Sequence, residues 1–163
     1  MPRISVSRVS TPQECDQAMA VWRAANRTGR RPAGELRATR VHDRLRHAEV
    51  LLLARYGDEP AGMLMAEQFV HDPGAAVEPE TGHIAMVTVH PSRWGSGIGT
   101  ALLAAVQDGD AAGTGWTRLS AWVRDDNKRG LRLFTGAGFV DTGNRAHLQD
   151  GDVIQQFIWS SHA

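Results

Sequence analysis

The 163-residue sequence contains one cysteine, one tyrosine and no long apolar run. Cys15 alone cannot form an internal disulfide and gives no metal-binding pattern, so no metal site is predicted. No stretch approaches the ~18 consecutive apolar residues of a membrane span, and the N-terminus lacks the apolar segment of a signal peptide. We therefore expect a cytoplasmic protein that does not interact with a membrane.

Net charge is absent as well. Lys+Arg and Asp+Glu both number 18, so no nucleic-acid partner is predicted. Aromatic residues make up only 6% of the chain, too few for an extended stacking surface, and we expect Trp22, Trp116, Trp122 and Trp159 to lie in the core. A hydrophobic content of 42% is ordinary for a globular protein, and the length predicts a single domain over residues 1–163.

The clearest pattern lies in residues 83–106, HIAMVTVHPSRWGSGIGTALLAAV. Residues 84–89 are apolar and rich in β-branched side chains, which predicts a buried strand. Glycines then alternate in the loop at 95, 97 and 99, and residues 98–106 carry the apolar stripe of a helix. Because glycines permit close approach and the first N–H groups of a helix have no internal partner, this loop predicts a phosphate or pyrophosphate site.

Elements of both kinds are predicted along the rest of the chain. Further helices are predicted at 12–26, starting at the N-cap Thr11, at 33–48 and at 127–135. Further strands are predicted at 3–9, 50–56, 61–70, 117–123, from 139 onward and at 153–159. Residues 71–82, 108–115 and 144–151 are expected to be irregular. The order β-α-α-β-β-β-α-β-α-β-β predicts a mixed α/β (α+β) fold that is not doubly wound.

Two segments carry a resemblance to a known family. PSRWGSGIGTALL (91–103) resembles the acyl-CoA loop of the GNAT superfamily of N-acetyltransferases. The segment from Asn127 to Phe134, followed by Gly138-Phe139, resembles that family's N-x-x-A-x-x-L-Y…G-F pattern, and the element order matches along nearly the whole chain. The resemblance implies a mixed, largely antiparallel sheet with a central splayed parallel pair, flanked by about four helices.

The resemblance also implies acetyl-CoA as cosubstrate. Backbone groups of Val87 and Val89 would pair with the pantetheine arm, and the N–H groups of residues 95–100 would hold the pyrophosphate. The cofactor-binding residues implied are Val87, Thr88, Val89, Arg93, Trp94, Gly95, Ser96, Gly97, Ile98, Gly99, Thr100, Asn127, Gly130, Leu133 and Phe134. Trp94 stands where the family usually has Arg or Gln, and Arg93, or Lys128 with Arg129, would add charge near the 3′-phosphate. Asn127 suits both a cofactor contact and a helix N-cap.

The residues that carry the family's acid and base chemistry are replaced. The tyrosine that often protonates the leaving thiolate is Phe134 here, and the glutamate of the central strand is Ala85. His83 shares strand parity with Ala85 and titrates in the right range, so it is the first candidate base, with Glu80 and Glu78 second. The Val87 N–H is the candidate oxyanion donor, and solvent would protonate the thiolate. Cys15 is expected not to be a nucleophile, and His90 to be structural.

Three functional hypotheses follow. The main one is an N-acetyltransferase acting on a primary amine of a small molecule (or a peptide) by direct attack in a ternary complex. A catalytically weak acyl-CoA-binding or sensing domain is the alternative, because the family's Tyr and Glu are missing. A dinucleotide-dependent oxidoreductase is disfavoured, because the third glycine of G-x-G-x-x-G is replaced by Thr100.

The least patterned segments leave the acceptor and the assembly open. A cationic acceptor follows if the acidic residues of 71–82 flank the site, and an acidic acceptor if Arg27, Arg30 and Arg31 do. The C-terminal strand, with Ile158 and Trp159, is a candidate edge for a homodimer.

Overall fold

A computed structural model describes residues 2–29, 32–70 and 78–161. The strands are β1 (Ile4–Arg8), β2 (Val50–Tyr56), β3 (Glu59–Gln68), β4 (Thr81–Val89), β5 (Arg118–Arg124), β6 (Val140–His147) and β7 (Val153–Ser160). The helices are α1 (Pro12–Asn26), α2 (Glu35–Arg46), α3 (Ile98–Gln107), α4 (Gly109–Ala112) and α5 (Lys128–Gly136), with a 3₁₀ turn at Pro91–Arg93. The predicted order of elements is confirmed, with α4 as one added turn.

The strands are hydrogen-bonded in the order β1-β2-β3-β4-β5-β7-β6. The pairs β1–β2, β2–β3, β5–β7 and β6–β7 are antiparallel, whereas β4 and β5 are parallel. The parallel ladder runs from Thr81 opposite Arg118 to Ile84 opposite Ala121, and β4 continues beyond it to Val89. This confirms the largely antiparallel sheet with a central parallel pair.

The C-terminal strand was predicted as an edge, and this is wrong. β7 lies between β5 and β6, so its backbone groups are paired on both sides. β6 takes the edge position. It is also longer than predicted, because strand pairing with β7 continues through residues 145–147, which the polar sequence suggested would be a loop.

The chain forms two compact units. The first comprises Met1–Ala66 with Met86–Leu103, and the second Glu67–Ala85 with Ala104–Ala163. None of the helices in the described ranges has both the length and the apolar character of a membrane-spanning segment.

Helix α1 of the first unit begins as its sequence predicts. Thr11 Oγ1 accepts a hydrogen bond from Glu14 N (3.1 Å), and Glu14 Oε1 accepts from Ser10 N (3.1 Å). The reciprocal bond of the capping box is therefore made one residue earlier than usual. Bonds from the backbone and hydroxyl of Ser10 hold the pKa of Glu14 below its ordinary value. The inner face of α1 buries Cys15, Ala18, Met19, Val21 and Trp22.

Gly62 on β3 allows α3 to pack closely in the first unit. A Cβ at this position would lie 2.5 Å from Ile98 Cγ2 and 3.2 Å from Thr88 O. Gly62→Ala should therefore lower the free energy of unfolding by roughly 1–3 kcal/mol through overpacking. Chemical denaturation measures this. Gly136→Ala in α5 is the control, since nothing lies within 4 Å of its Cβ, and it should be neutral or slightly stabilising. Equal losses in both variants would contradict the packing argument.

The second unit is held together by aromatic side chains. Phe134 packs edge-on against Phe139, with ring centroids 5.0 Å apart, and lies 6.4 Å from Phe157. Trp116 is buried against Gly82, where a Cβ would clash with the Trp116 ring.

Helix α4 lies in the segment 108–115, which was predicted to be irregular. It forms because Asp108 Oδ1 accepts a hydrogen bond from Ala111 N at 3.0 Å.

Candidate functional site

The turn after β4 is shaped by His90. Its Nδ1 accepts a hydrogen bond from Ser92 N (3.2 Å) and lies 2.8 Å from Ser92 Oγ. His90 thereby caps the 3₁₀ turn at Pro91–Arg93, whose proline fixes the backbone at the first position. The prediction that His90 is structural is confirmed.

The glycines of the loop serve its backbone conformation. Gly95 and Gly97 have φ angles of +80° and +90°, a backbone conformation that residues with a Cβ rarely adopt. The first bond of α3 runs from Ala101 N to Gly97 O (3.0 Å), and the Ile98 side chain is buried. The N–H groups of Ile98, Gly99 and Thr100 thus have no acceptor one turn earlier in the helix. Together with the helix dipole, they form a site suited to an anion.

Two bulky side chains brace this loop. Trp94 Nε1 donates to Val89 O (3.0 Å), and its side chain is still 37% exposed. Arg93 Nη2 donates to Glu59 Oε2 (3.1 Å), and its guanidinium carbon lies 4.3 Å from the ring centroid of Tyr56. Arg93, a candidate for the 3′-phosphate, is thus placed against the β2–β3 hairpin. It contributes to loop position through an ion pair and a cation–π contact.

The end of β4 keeps unusual exposure for a strand in the middle of a sheet. Val87, Thr88 and Val89 are half-buried, although β4 has neighbours on both sides in the strand order. They lie past Ile84, where the ladder with β5 ends. Backbone groups in this position suit an extended ligand that pairs like a strand.

Asn127 caps helix α5. Its Oδ1 accepts from Gly130 N at 3.0 Å, as an N-cap should. A Cβ at Gly130 would lie 2.6 Å from Asn127 Nδ2, so an alanine here would require the Asn127 side chain to shift. Lys128 and Arg129 are exposed, and Leu133 is half-buried. Phe134 is only 6% exposed, so its ring belongs to the aromatic core of the second unit.

A pocket of about 510 Å³ lies in the second unit and contains His83. The residues lining it are Glu67, Gln68, Phe69, Val70, His83, Trp122, Asn144 and Gln156. His83 is opposite Ser120 in the parallel ladder, and its Nδ1 is 2.8 Å from Ser120 Oγ. Ser120 is fully buried and does not line the pocket, so this contact holds the imidazole ring from the interior of the second unit.

Amide side chains form the polar wall of this pocket. Asn144 Nδ2 donates to Gln156 Oε1 (2.8 Å), which also accepts from Thr142 Oγ1 (3.3 Å). Gln68 Nε2 donates to the carbonyl oxygens of Thr81 (2.9 Å) and Glu78. The amides are therefore held in place before any ligand binds.

Trp122 forms an apolar part of the wall. The prediction that it lies in the core is wrong, since the side chain is 36% exposed and lines the pocket. Its neighbours Ala121 and Val123 point to the other face of β5 and are buried. Phe69 adds a second ring, tilted by 53° to His83 with centroids 6.2 Å apart.

The second candidate base occupies a different position. Glu80 is exposed, and its carbonyl oxygen accepts from the N–H groups of Thr117 (3.0 Å) and Arg118 (3.1 Å). Glu78 is half-buried, and its carbonyl accepts from Gln68. Neither residue lines the pocket of His83 among the described residues. The structure places Arg27 in an exposed position, whereas Arg30, Arg31 and the segment 71–77 lie outside the described residues.

Sequence reasoning did not identify Ser120, Asn144 or Gln156. Ser120 could have been noticed in the sequence, because it is a polar residue between Leu119 and Ala121 in a predicted strand that is otherwise largely apolar. No comparable local signal marks Asn144 and Gln156, which meet only when β6 pairs with β7.

Comparison with known proteins identifies the family. The model of the acetyltransferase (GNAT) family matches residues 17–139. A search of the curated proteins finds no match to the sequence.

Solved structures share the fold over the whole chain. A GNAT-family protein from Desulfovibrio desulfuricans has a TM-score of 0.75 at 21% identity, with 98% of this chain and 99% of that chain covered. The yncA protein of Salmonella typhimurium, solved with its cofactor acetyl-CoA, has 0.69 at 16%, covering 97% and 94%. The ribosomal-protein-S18-alanine N-acetyltransferase of Escherichia coli has 0.71 at 15%, also covering 97% and 94%. At these sequence identities the solved structures establish the fold alone. The family model matches more than half of the sequence, and on that basis the chain belongs to the GNAT family of acetyltransferases.

Proposed function

We propose that the protein is an acetyl-CoA-dependent N-acetyltransferase that acetylates a primary amine of a small molecule. The observation that carries this proposal is His83, held by the buried Ser120 hydroxyl in a preformed pocket. Acetyl-CoA bound to the fold relative yncA supports the choice of donor. The alanine N-acetyltransferase among the relatives supports an amine as acceptor.

The chain has groups suited to each part of the donor. The pyrophosphate would be held by the N–H groups of residues 95–100, where Gly95 and Gly97 leave the backbone open to a ligand. The pantetheine arm would pair with the backbone of Val87 and Val89, beyond the end of the β4–β5 ladder. Because Trp94 Nε1 already donates to Val89 O, the N–H of Val89 and the backbone of Val87 remain the better partners. Bound acetyl-CoA supplies an activated acyl group as a thioester.

His83 supplies the base. An ammonium has no lone pair, so the acceptor must lose a proton before it attacks the acyl carbon. The imidazole, held by the contact of its Nδ1 with Ser120 Oγ, is the group assigned to take this proton. The neutral amine then forms the C–N bond and gives a tetrahedral oxyanion, for which the Val87 N–H is the assigned donor. The C–S bond breaks as the oxyanion collapses, and the nitrogen loses its second proton to solvent to become the amide. Phe134 cannot donate a proton, so solvent protonates the thiolate, whose pKa of ~8.5 makes it a tolerable leaving group.

Direct transfer leaves no role for Cys15. This thiol is 5% exposed on the inner face of α1, and burial raises its pKa, which disfavours the nucleophilic thiolate. Cys15→Ala should retain the turnover number of the folded enzyme, although its Tm falls because a buried side chain is shortened. Steady-state kinetics and a melting curve on the same sample measure the two effects. Loss of turnover with the fold intact would instead indicate an acyl-enzyme intermediate.

Thermal melting with acetyl-CoA, CoA, NAD and ATP at equal concentrations tests the donor. A ligand at ~100 times its dissociation constant adds about 2.7 kcal/mol to stability, which gives an easily measured shift. Stabilisation by acetyl-CoA and CoA, followed by thiol release with a panel of amines, is expected. Stabilisation without thiol release for any amine would favour an acyl-CoA sensor, and no shift with CoA would refute both functions.

A further inference from the structure

We infer that the pocket around His83 selects primary amines that carry a flat apolar group and no anionic group. This inference rests on the proposed function and names its substrate class. It is carried by the charge and the shape of the described lining residues.

The charge of the pocket disfavours an anionic acceptor. Among the eight described lining residues there is one carboxylate, Glu67, and no arginine or lysine. A carboxylate or phosphate bound here would lose its hydration without gaining a cationic partner. A protonated amine meets no arginine or lysine among the described lining residues, and it can give its proton to His83.

Two arginines on the strands that carry lining residues, Arg124 and Arg145, are already paired with carboxylates. Arg124 follows Trp122 on the same face of β5, and its Nη1 is 2.6 Å from Asp152 Oδ2. Arg145 follows Asn144 on β6, and its Nη2 is 2.8 Å from Asp141 Oδ2. This pair raises the pKa of Arg145 and lowers that of Asp141 to about 2. Both guanidinium groups are thus neutralised by carboxylates of their own unit.

The shape of the pocket favours a ring. Trp122 offers a large aromatic surface that is 36% exposed, and Phe69 lies beside the imidazole of His83. Aromatic groups gain from offset or edge-on packing against such rings in addition to burying apolar area. Asn144 and Gln156, bonded to one another, add neutral donors and acceptors. These can serve an amide or hydroxyl on the acceptor, but they do not compensate a full charge.

Three matched acceptors test the inference: phenethylamine, phenylalanine and ethylamine, each with acetyl-CoA and thiol detection. Phenethylamine and phenylalanine share ring and amine and differ in the carboxylate. We expect kcat/KM for phenethylamine to exceed that for phenylalanine at least about tenfold, a difference of about 1.4 kcal/mol. Ethylamine, which lacks the ring, should have a higher KM than phenethylamine.

Variants of Trp122 locate the selectivity. Trp122→Ala should raise KM for phenethylamine several-fold with little change for ethylamine, and Trp122→Phe should restore most of the loss. Equal rates for phenethylamine and phenylalanine, or equal effects of Trp122→Ala on both amines, would overturn the inference while leaving the acetyltransferase proposal intact.

Calorimetry of phenethylamine and phenylalanine binding in the presence of CoA distinguishes failure of the proposed function from failure of the proposed selectivity. If no amine is acetylated but phenethylamine binds more tightly through Trp122, the proposed function fails and the selectivity stands. If neither amine binds or reacts, both fail.

Discussion

Replacing His83 with glutamine should lower kcat/KM by roughly 10²- to 10⁴-fold, the range of a lost general base. The imidazole is the group in the pocket assigned to deprotonate the amine, and glutamine keeps polarity and approximate size without titrating near neutrality. Thiol release under saturating acetyl-CoA measures the loss. Acetyl-CoA should still raise the Tm of the variant, because His83 is not among the residues assigned to the donor.

The pH dependence gives this prediction a second readout. A base acts only when unprotonated, so the rate of the native enzyme should rise with pH and then level off. The His83→Gln variant should lose that rise. Ser120→Ala, which removes the hydroxyl 2.8 Å from Nδ1, should shift the rise without abolishing turnover, since Ser120 acts by positioning the ring.

His147→Gln is the matched control, because it makes the same substitution at an exposed position on β6 that does not line the pocket. It should leave kcat/KM unchanged. If His83→Gln kept full activity with an unaltered pH profile, His83 would be excluded as the base. The exposed Glu80 would then become the next residue to test.

Local signals account for most of what the sequence predicts about the fold. Helix α1 begins where Thr11 and Pro12 indicate, because capping and proline effects act within one turn. The β2–β3 hairpin and the glycine loop before α3 were likewise predicted from short stretches of contiguous residues. β6 was underestimated because its polar residues become a strand only through pairing with β7, a long-range interaction that no window of sequence contains.

The difference between local sequence signals and long-range strand pairing also applies to the candidate site. Strand parity indicated His83, since alternation along one strand is a local property. The rest of the pocket comes from β3, β5, β6 and β7, so its lining depends on strand order and register. Trp122 illustrates the limit. Tryptophan side chains are buried more often than not, whereas Trp122 is 36% exposed and lines the pocket around His83.

Gly95→Ala should weaken acetyl-CoA binding by about tenfold or more, the equivalent of about 1.4 kcal/mol. Gly95 has φ of +80° and nothing within 4 Å of its Cβ position, so the substitution acts through the backbone alone. An alanine at positive φ costs about 1–2 kcal/mol. The loop can relieve this strain by rotating its peptide groups, and the N–H groups assigned to the pyrophosphate then leave their places.

Gly143→Ala separates that effect from simple destabilisation. Gly143 has φ of +88° and an equally open Cβ position, but it lies in the irregular part of β6. Both variants should lose a similar amount of unfolding free energy, since both place alanine in the same strained conformation. Only Gly95→Ala should show a smaller increase in Tm than the native protein on adding acetyl-CoA. If the two variants bound acetyl-CoA equally well, the pyrophosphate would have to be held elsewhere. The exposed Lys128 and Arg129 at the start of α5 would then be the next candidates, because a cationic side chain is the other common partner of a phosphate.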